Sequence, residues 1–241
     1  MTTTIKLTLA NAEVNRLFTR KLDNQLLFYE ALMQKINALL RRCQLNQAYS
    51  LLALQGIQEA IHKLTTQCFD EIDKFEGLLE KKKHLKGMAF NHSTRFEPKV
   101  AFDSSLAADL VELFAVHDRL ISTLKILRFA GCFSQDNDYF ANLRRTFKSI
   151  NRLLSQIQLI KINTLPAVTF EDVIDNKESY QLIANLAGEI DYIALYRAMT
   201  SNLAQRLEEK IRQPLLYRLK KKIKALQVSK ANDAEVILPC A

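Results

Sequence analysis

Three polar residues near the start of the chain could contact nucleic acid. Thr4, Lys6 and Thr8 stand at every second position, and the residues between them are apolar. Threonine offers a hydroxyl and a methyl group and lysine an ammonium group, all of which can meet base edges in the DNA major groove. This alternation predicts a β-strand with one buried face and one solvent face that carries the three polar side chains.

A second set of candidate residues lies near the other end of the chain. The formal net charge is +8, and residues 206–224 contain eight basic residues and only two acidic ones. An apolar stripe at Ile211, Leu215, Leu219 and Ile223 fixes the buried side of this segment. It leaves five basic residues directed outward as candidate phosphate contacts, Arg218, Lys220, Lys221, Lys222 and Lys224. The alternative is a lysine-rich face that serves only for solvation.

The sequence gives no sign of catalysis or metal binding. Glycine-rich phosphate loops and the serine elbow of hydrolases are absent, and the histidines at 62, 84, 92 and 117 lack metal spacing. Glu171, Asp172 and Asp175 could do acid–base work, but nothing nearby supports it. His117 lies in a leucine stripe, which is typical of a hydrogen-bonded histidine in a core or interface. We expect no enzyme, no cofactor, no metal and no small-molecule substrate.

The strand needs a partner, and no hairpin turn follows it. One possibility is a second copy of the chain, which gives a two-stranded ribbon that fits the major groove. The alternative is pairing within the chain, with an extended piece at residues 99–102. Pro98 argues against that alternative because it cannot donate to a ladder. We therefore favour the ribbon of a homodimer.

The rest of the chain is expected to be helical. With five glycines, four prolines and no tryptophan in 241 residues, long helices with few tight turns are favoured. Helices are predicted at about 11–21, with Asn11 as N-cap, 24–42 and 46–81, an antiparallel heptad pair at 106–127 and 140–157, and a last helix at 177–223 with Pro214 as a kink or break. The predicted fold is mainly α, with an N-terminal strand of ribbon-helix-helix type followed by a helical bundle.

Composition also bears on domains and location. Segments are predicted at 1–83 for the ribbon and first helices, 84–103 for a connection, 104–228 for the bundle with its basic last helix, and 229–241 for a flexible tail, with one compact domain as the alternative. The four cysteines, at 43, 68, 132 and 240, form no CxxC pair. We expect free thiols in a reducing cytoplasm, without a secretion signal or a membrane span.

Four segments of the chain carry a resemblance to a known family. They are Leu7-Thr8-Leu9 with Arg16 and Arg20, Asn46-Gln47-Ala48-Tyr49, Val100-Ala101-Phe102 with His117-Asp118-Arg119-Leu120, and Arg144-Arg145-Thr146-Phe147 with the segment from Val168 to Val173. In their order and spacing, over about residues 5 to 175, they are similar to the AcaB-type regulators of integrating conjugative elements and conjugative plasmids. The chain departs from that family at Gln47, where a proline is usual, and it has no glycine hinge before Gly56.

The resemblance implies a transcriptional regulator of conjugative-transfer genes that binds double-stranded DNA as a homodimer. Thr4, Lys6 and Thr8 would then contact the bases, and the helices that follow would form the dimer scaffold. The basic segment near residue 220 lies outside the resemblance. The alternative function is a helical interaction protein of a conjugation or secretion apparatus, in which the heptads and His117 form a partner surface and no DNA is bound.

Overall fold

Helices make up most of the structure, which is a computed structural model that describes residues 3–22, 25–82 and 95–235. The mainly helical class predicted from composition is confirmed. The helices are α1 (Ala12–Thr19), α2 (Phe28–Gln44), α3 (Ala48–Glu80), α4 (Ser105–Phe129), α5 (Asp136–Leu159), α6 (Phe170–Ile174), α7 (Glu178–Ala187), α8 (Tyr192–Thr200) and α9 (Glu209–Glu235). Two strands, β1 (Thr3–Lys6) and β2 (Lys99–Phe102), form an antiparallel sheet.

Internal contacts divide the chain into two units, each made from two stretches of sequence. Unit 1 comprises Met1–Ile36 and Ile57–Ile160, and unit 2 comprises Asn37–Gly56 and Lys161–Ala241. Helices α2 and α3 therefore contribute residues to both units. The division does not follow the connection predicted at 84–103, because β2 pairs with β1 and ties this part of the chain to its start. Residues 84–94 of that connection lie outside the described residues.

The partner of β1 comes from the same chain, so the preference for pairing with a second copy is wrong for this edge of the strand. Thr4 lies opposite Ala101 and Lys6 lies opposite Lys99. The extended piece at residues 99–102 is therefore the partner that the sequence offered as the alternative. Both strands are short, and each has one neighbour in the described sheet.

Pro98 interrupts the ladder but does not prevent it. The Leu7 N–H donates to the Pro98 carbonyl at 3.1 Å, and proline has no N–H with which to return the bond. Regular pairing ends at Lys6 for this reason. Pairing resumes two residues beyond Leu7, where Leu9 and Phe96 exchange two backbone hydrogen bonds of 2.9 and 2.8 Å. One missing donor is therefore too small a cost to prevent pairing within the chain.

The heptad pair of unit 1 folds as predicted. Arg128, at the end of α4, contacts Asp136 at the start of α5, and His117, further back in α4, packs on Phe147, further along α5. A residue nearer the start of α4 thus contacts a residue nearer the end of α5, so the two helices are antiparallel. Gly131 follows α4 in the connecting turn with a φ of +62°, a left-handed conformation that favours glycine after the end of a helix. The leucines of α4 are buried in the core together with residues of α3, among them Cys68, Ile72 and Phe75.

The single last helix predicted at 177–223 is wrong. The structure has α7, α8 and α9 there instead, separated at Gly188 and near Ser201. Gly188 has φ +89° and ends α7, while Asp191 caps α8 by accepting hydrogen bonds from the N–H groups of Ile193 and Ala194. Pro214 lies inside α9 without ending it. The leucine spacing continues across these breaks, which is why periodicity alone did not reveal them.

Unit 2 joins the segment 37–56 to the second half of the chain. The Ala48 N–H donates to the Val168 carbonyl at 2.9 Å, and the Arg42 side chain donates to the Leu165 carbonyl at 2.7 Å. The Asn46 amide donates to the Glu171 carboxylate. The backbone of α9 continues to Glu235, within the segment 229–241 that was expected to form a flexible tail, and residues 236–241 lie outside the described residues.

Candidate nucleic-acid interface

The outer face of the sheet presents the three polar side chains singled out at the start of the chain. Thr4, Lys6 and Thr8 are exposed, whereas Leu7 and Leu9 are buried. The predicted alternation of faces is confirmed.

Lysines from both strands stand side by side on this face. Lys99 is exposed opposite Lys6, and the Lys6 ammonium lies 3.8 Å from the Glu97 carboxylate. That ion pair is solvent-exposed, so it contributes little and leaves the ammonium group accessible. Lys99 was missed as a candidate, although the sequence had marked residues 99–102 as an extended piece. Charge in the partner strand was the signal that could have identified it.

A buried polar network fixes the sheet to the helices behind it. Asp118 of α4 is 6% exposed, and its carboxylate accepts hydrogen bonds from the N–H groups of Ala10 and Asn11 at 2.8 and 3.0 Å. The Asn11 side-chain amide donates to the Asp118 carboxylate and to Ser122. Lys125 completes the network by donating to the Asn11 amide oxygen at 2.7 Å.

This network corrects the expectation that Asn11 caps α1 with its side chain. Asn11 does occupy the N-cap position, but its side chain makes no capping hydrogen bond. It points instead at α4, where Asp118 lies in the His117-Asp118-Arg119-Leu120 segment of the family resemblance. Asp118 belongs to the segments that carry the resemblance, but only the fold shows that Asp118 positions the strand.

The basic residues of α9 fall into two groups. Arg218 forms an ion pair with Asp175, and Lys222 donates to the Ile174 carbonyl and lies 4.7 Å from the centre of the Tyr192 ring. These two side chains therefore hold α9 against α6 and α8 within unit 2. The Arg218 guanidinium lowers the pKa of Asp175 below its ordinary value.

The other three candidates on α9 face solvent. Lys220, Lys221 and Lys224 are exposed, and none forms an ion pair with a described side chain. They remain candidate phosphate contacts. All five basic residues were predicted as one group. The position of α6 decides which of them meet a partner, and the sequence does not show that position.

The acidic cluster before α7 has a structural use in unit 2. Asp172 and Thr169 form a capping box at the start of α6, and Asp172 also pairs with Lys177 at 2.7 Å. The hydrogen bonds from Lys177 and Thr169 lower the pKa of Asp172. Glu171 and Asp175 are engaged by Asn46 and Arg218, so each of the three carboxylates has a partner.

His117 lies in the interior of unit 1 and not on its surface. It is 1% exposed and packs edge-on against Phe147 at 5.4 Å between ring centres. Its Nε2 atom has no hydrogen-bond partner among the described residues, and burial lowers the pKa of its imidazole to about 4. The suggestion that His117 and the heptad leucines form a partner surface is therefore wrong.

Other chemistry is sparse in the described residues. No helix there is long and apolar enough to cross a membrane, and no group of three or more His, Cys, Asp or Glu residues could hold a metal ion. Cys43 and Cys68 are buried free thiols whose pKa values burial raises to about 11. Cys132 is a partly exposed free thiol, and Cys240 lies outside the described residues.

The chain is similar to known proteins over most of its length. The family model described as "Transcriptional regulator AcaB" matches residues 2–208. Among solved structures, selenomethionine-containing AcaB from uropathogenic E. coli is similar, with 14% sequence identity and a TM-score of 0.46 over 87% of this chain and 98% of that one. No curated protein matches the chain. The family match confirms the resemblance seen in the four sequence segments, and because the family regulates transcription, it confirms that the protein is not an enzyme. The chain belongs to the AcaB family of transcriptional regulators.

Proposed function

We propose that this protein regulates transcription by binding double-stranded DNA through the exposed face of the sheet formed by β1 and β2. The observation that carries the proposal is the placement of Thr4, Lys6 and Thr8 together on the solvent side of a two-stranded ribbon. A ribbon of this kind fits the width of the major groove. Membership of a family of transcriptional regulators supports DNA as the partner.

In the proposed complex the ribbon contacts bases, and exposed basic side chains of both units bind phosphates. Lys6 donates to guanine acceptors, while Thr4 and Thr8 offer hydroxyl and methyl contacts. Lys99 and the exposed lysines of α9 neutralise the DNA backbone, which adds affinity without sequence preference. The ribbon-helix-helix character is kept in a modified form, because one chain supplies both strands.

The proposal includes the oligomeric state of the protein and the genes that it regulates. The protein acts in the cytoplasm as a homodimer, which would match a two-fold symmetric operator, and its targets are conjugative-transfer genes of a mobile element. The resemblance of the four sequence segments to regulators of such elements supports the targets. Sedimentation of the purified protein tests the dimer directly.

The first experiment measures binding to short random DNA duplexes by fluorescence anisotropy from low to physiological salt. We expect log affinity to fall linearly with log salt concentration, with a slope of about 0.9 per neutralised phosphate. Absence of binding even at low salt would overturn the proposal. It would favour the alternative of an interaction protein in a conjugation or secretion apparatus, to be followed up with protein partners.

The second experiment tests the ribbon. After the preferred DNA site has been selected from a random pool, Lys6→Ala should lose discrimination against non-preferred DNA, by about 1 to 3 kcal/mol per base contact. Lys6 is exposed, so the variant should keep its fold and melting temperature. Lys63→Ala, an exposed lysine of α3, is the matched control. Undiminished discrimination by Lys6→Ala in the competition assay would rule out base contact by the ribbon.

A further inference from the structure

One stretch of the chain contains basic side chains with no acidic side chain among them. Residues 139–170 contain five basic side chains, namely Arg144, Arg145, Lys148, Arg152 and Lys161, and no acidic one. Four of the five lie on α5. By contrast, α3 carries six acidic and two basic residues, so positive charge is concentrated on particular helices and is not spread evenly.

Three of the basic side chains form a row along α5. Arg144, Lys148 and Arg152 are spaced by four residues and are all exposed. Side chains four residues apart on a helix lie one above the other, with a rise of about 6 Å per step. A row of about 12 Å spans roughly three phosphates of one DNA strand.

The row is distinguished by the absence of acidic neighbours. Arg145, the next residue along, pairs with Glu71 at 2.8 Å, and Arg128 of the preceding helix pairs with Asp136. Arg144, Lys148 and Arg152 form no ion pair with any described side chain. Like charges four residues apart destabilise a helix, so a row without internal partners is better explained by an anion that binds from outside.

The surroundings of the row favour a phosphate backbone over a lipid surface. The neighbouring exposed residues Asn151 and Ser155 are polar and can donate hydrogen bonds to phosphate oxygens, whereas the Ser149 hydroxyl donates to the Arg145 carbonyl. Helices that bind membranes place apolar residues beside their basic ones. On α5 the apolar side chains Ile150, Leu154 and Ile157 are buried in unit 1. The exposed apolar residues Phe140 and Leu159 lie before and after the row, and not between its members.

We infer that Arg144, Lys148 and Arg152 form a phosphate-binding row through which α5 contacts double-stranded DNA. The inference rests on the proposed function and adds a second contact surface in unit 1 to that of the ribbon. Since the row reads no bases, it contributes affinity and positioning without sequence preference.

The test replaces all three residues in the full chain, as Arg144→Gln, Lys148→Gln and Arg152→Gln. The slope of log affinity against log salt should fall by about 2.7, and affinity should drop equally for preferred and random duplexes. The control variant is Lys63→Gln, Lys74→Gln and Lys81→Gln, which removes three exposed charges from acidic α3 and its end. A second variant keeps the charges, as Arg144→Lys, Lys148→Arg and Arg152→Lys, and should keep the slope.

The outcomes separate the two claims. If the α5 variant keeps the wild-type slope, as the α3 variant is expected to, the row does not contact DNA, while binding by the ribbon stands. If the charge-keeping variant loses the slope as well, charge is not what matters and the inference is overturned. If the wild-type protein binds no DNA at any salt concentration, both the proposed function and the row are overturned.

Discussion

At the scale of single residues, Asp118 connects the fold to the proposed interface. Its carboxylate accepts from two consecutive backbone N–H groups just after the ribbon, and it does so from the interior of unit 1. A buried carboxylate with several donors is a strong positional constraint. The orientation of the exposed face of the sheet therefore depends on a buried residue of α4.

His117, the neighbour of Asp118, gives a prediction about pH. Its pKa is lowered to about 4 in the folded protein by burial, against an unfolded value near 6.5. Between these values the unfolded chain binds more protons than the folded one, so stability is highest above pH 6.5 and declines as the pH falls to about 4. The histidine's share of this loss is about 3 kcal/mol.

His117→Leu should remove this part of the pH dependence. Urea unfolding at pH values from 7 to 4.5 measures it as the difference between the wild-type protein and the variant. His62→Leu, which changes an exposed histidine of α3, should leave the dependence as it is in the wild-type protein. A wild-type slope retained in His117→Leu would mean that the imidazole is not buried in its neutral form.

At the scale of elements, two glycines of unit 2 are expected to respond to alanine in opposite directions. Gly188 ends α7 with φ +89° and ψ 149°, a conformation that is almost restricted to glycine, whereas Gly56 lies inside α3. A Cβ atom would meet nothing within 4 Å at either position, so backbone conformation alone decides. Gly188→Ala should destabilise by about 1 to 3 kcal/mol. Gly56→Ala should stabilise by about 0.5 to 1 kcal/mol.

Chemical denaturation of both single variants checks the pair. Because the two substitutions add the same methyl group in the same unit, differences in hydrophobicity cancel. Equal effects of the two substitutions would show that Gly188 does not need its left-handed backbone, and that another feature ends α7.

The elements also show what the sequence could and could not predict. The helices α3, α4 and α5 were predicted closely because long apolar stripes define one face and charge or glycine marks their ends. The last part of the chain was predicted poorly because its leucines keep helical spacing across Gly188 and Ser201. Strand β1 was predicted with the correct faces. Its partner lies about a hundred residues away, and the local pattern marked residues 99–102 as extended but could not show that they pair with β1.

At the scale of the whole molecule, basic residues can be counted from the sequence, but the sequence does not show which of their side chains are available to a ligand. The cluster near residue 220 was evident, yet Arg218 and Lys222 of that cluster are engaged inside unit 2. The row on α5 was not noticed because its members are four residues apart and no local run of lysines marks them. Pairing with acids, which depends on the fold, decides which charges are available to a ligand.

The exposed lysines of α9 give a prediction at this scale. The family match ends at residue 208 and α9 begins at Glu209, so these lysines are additions to the matched region. Replacing Lys220, Lys221 and Lys224 with Gln should lower the salt slope of DNA binding by about 2.7 while leaving sequence preference intact. Anisotropy titrations with preferred and random duplexes measure both quantities. A salt slope that stays at the wild-type value would identify this face as a solvation surface.

The interleaving of the two units along the chain constrains how the gene can change. Unit 2 takes residues 37–56 from within the stretch that otherwise builds unit 1. No single crossover between two related genes can therefore exchange one whole unit for another. A hybrid joined after residue 160 would pair a new 161–241 with the old 37–56, which must still supply partners for the Val168 and Leu165 carbonyls. The two units are thus expected to be inherited together, and regulators of this kind should diversify by substitution on their surfaces more readily than by shuffling of modules.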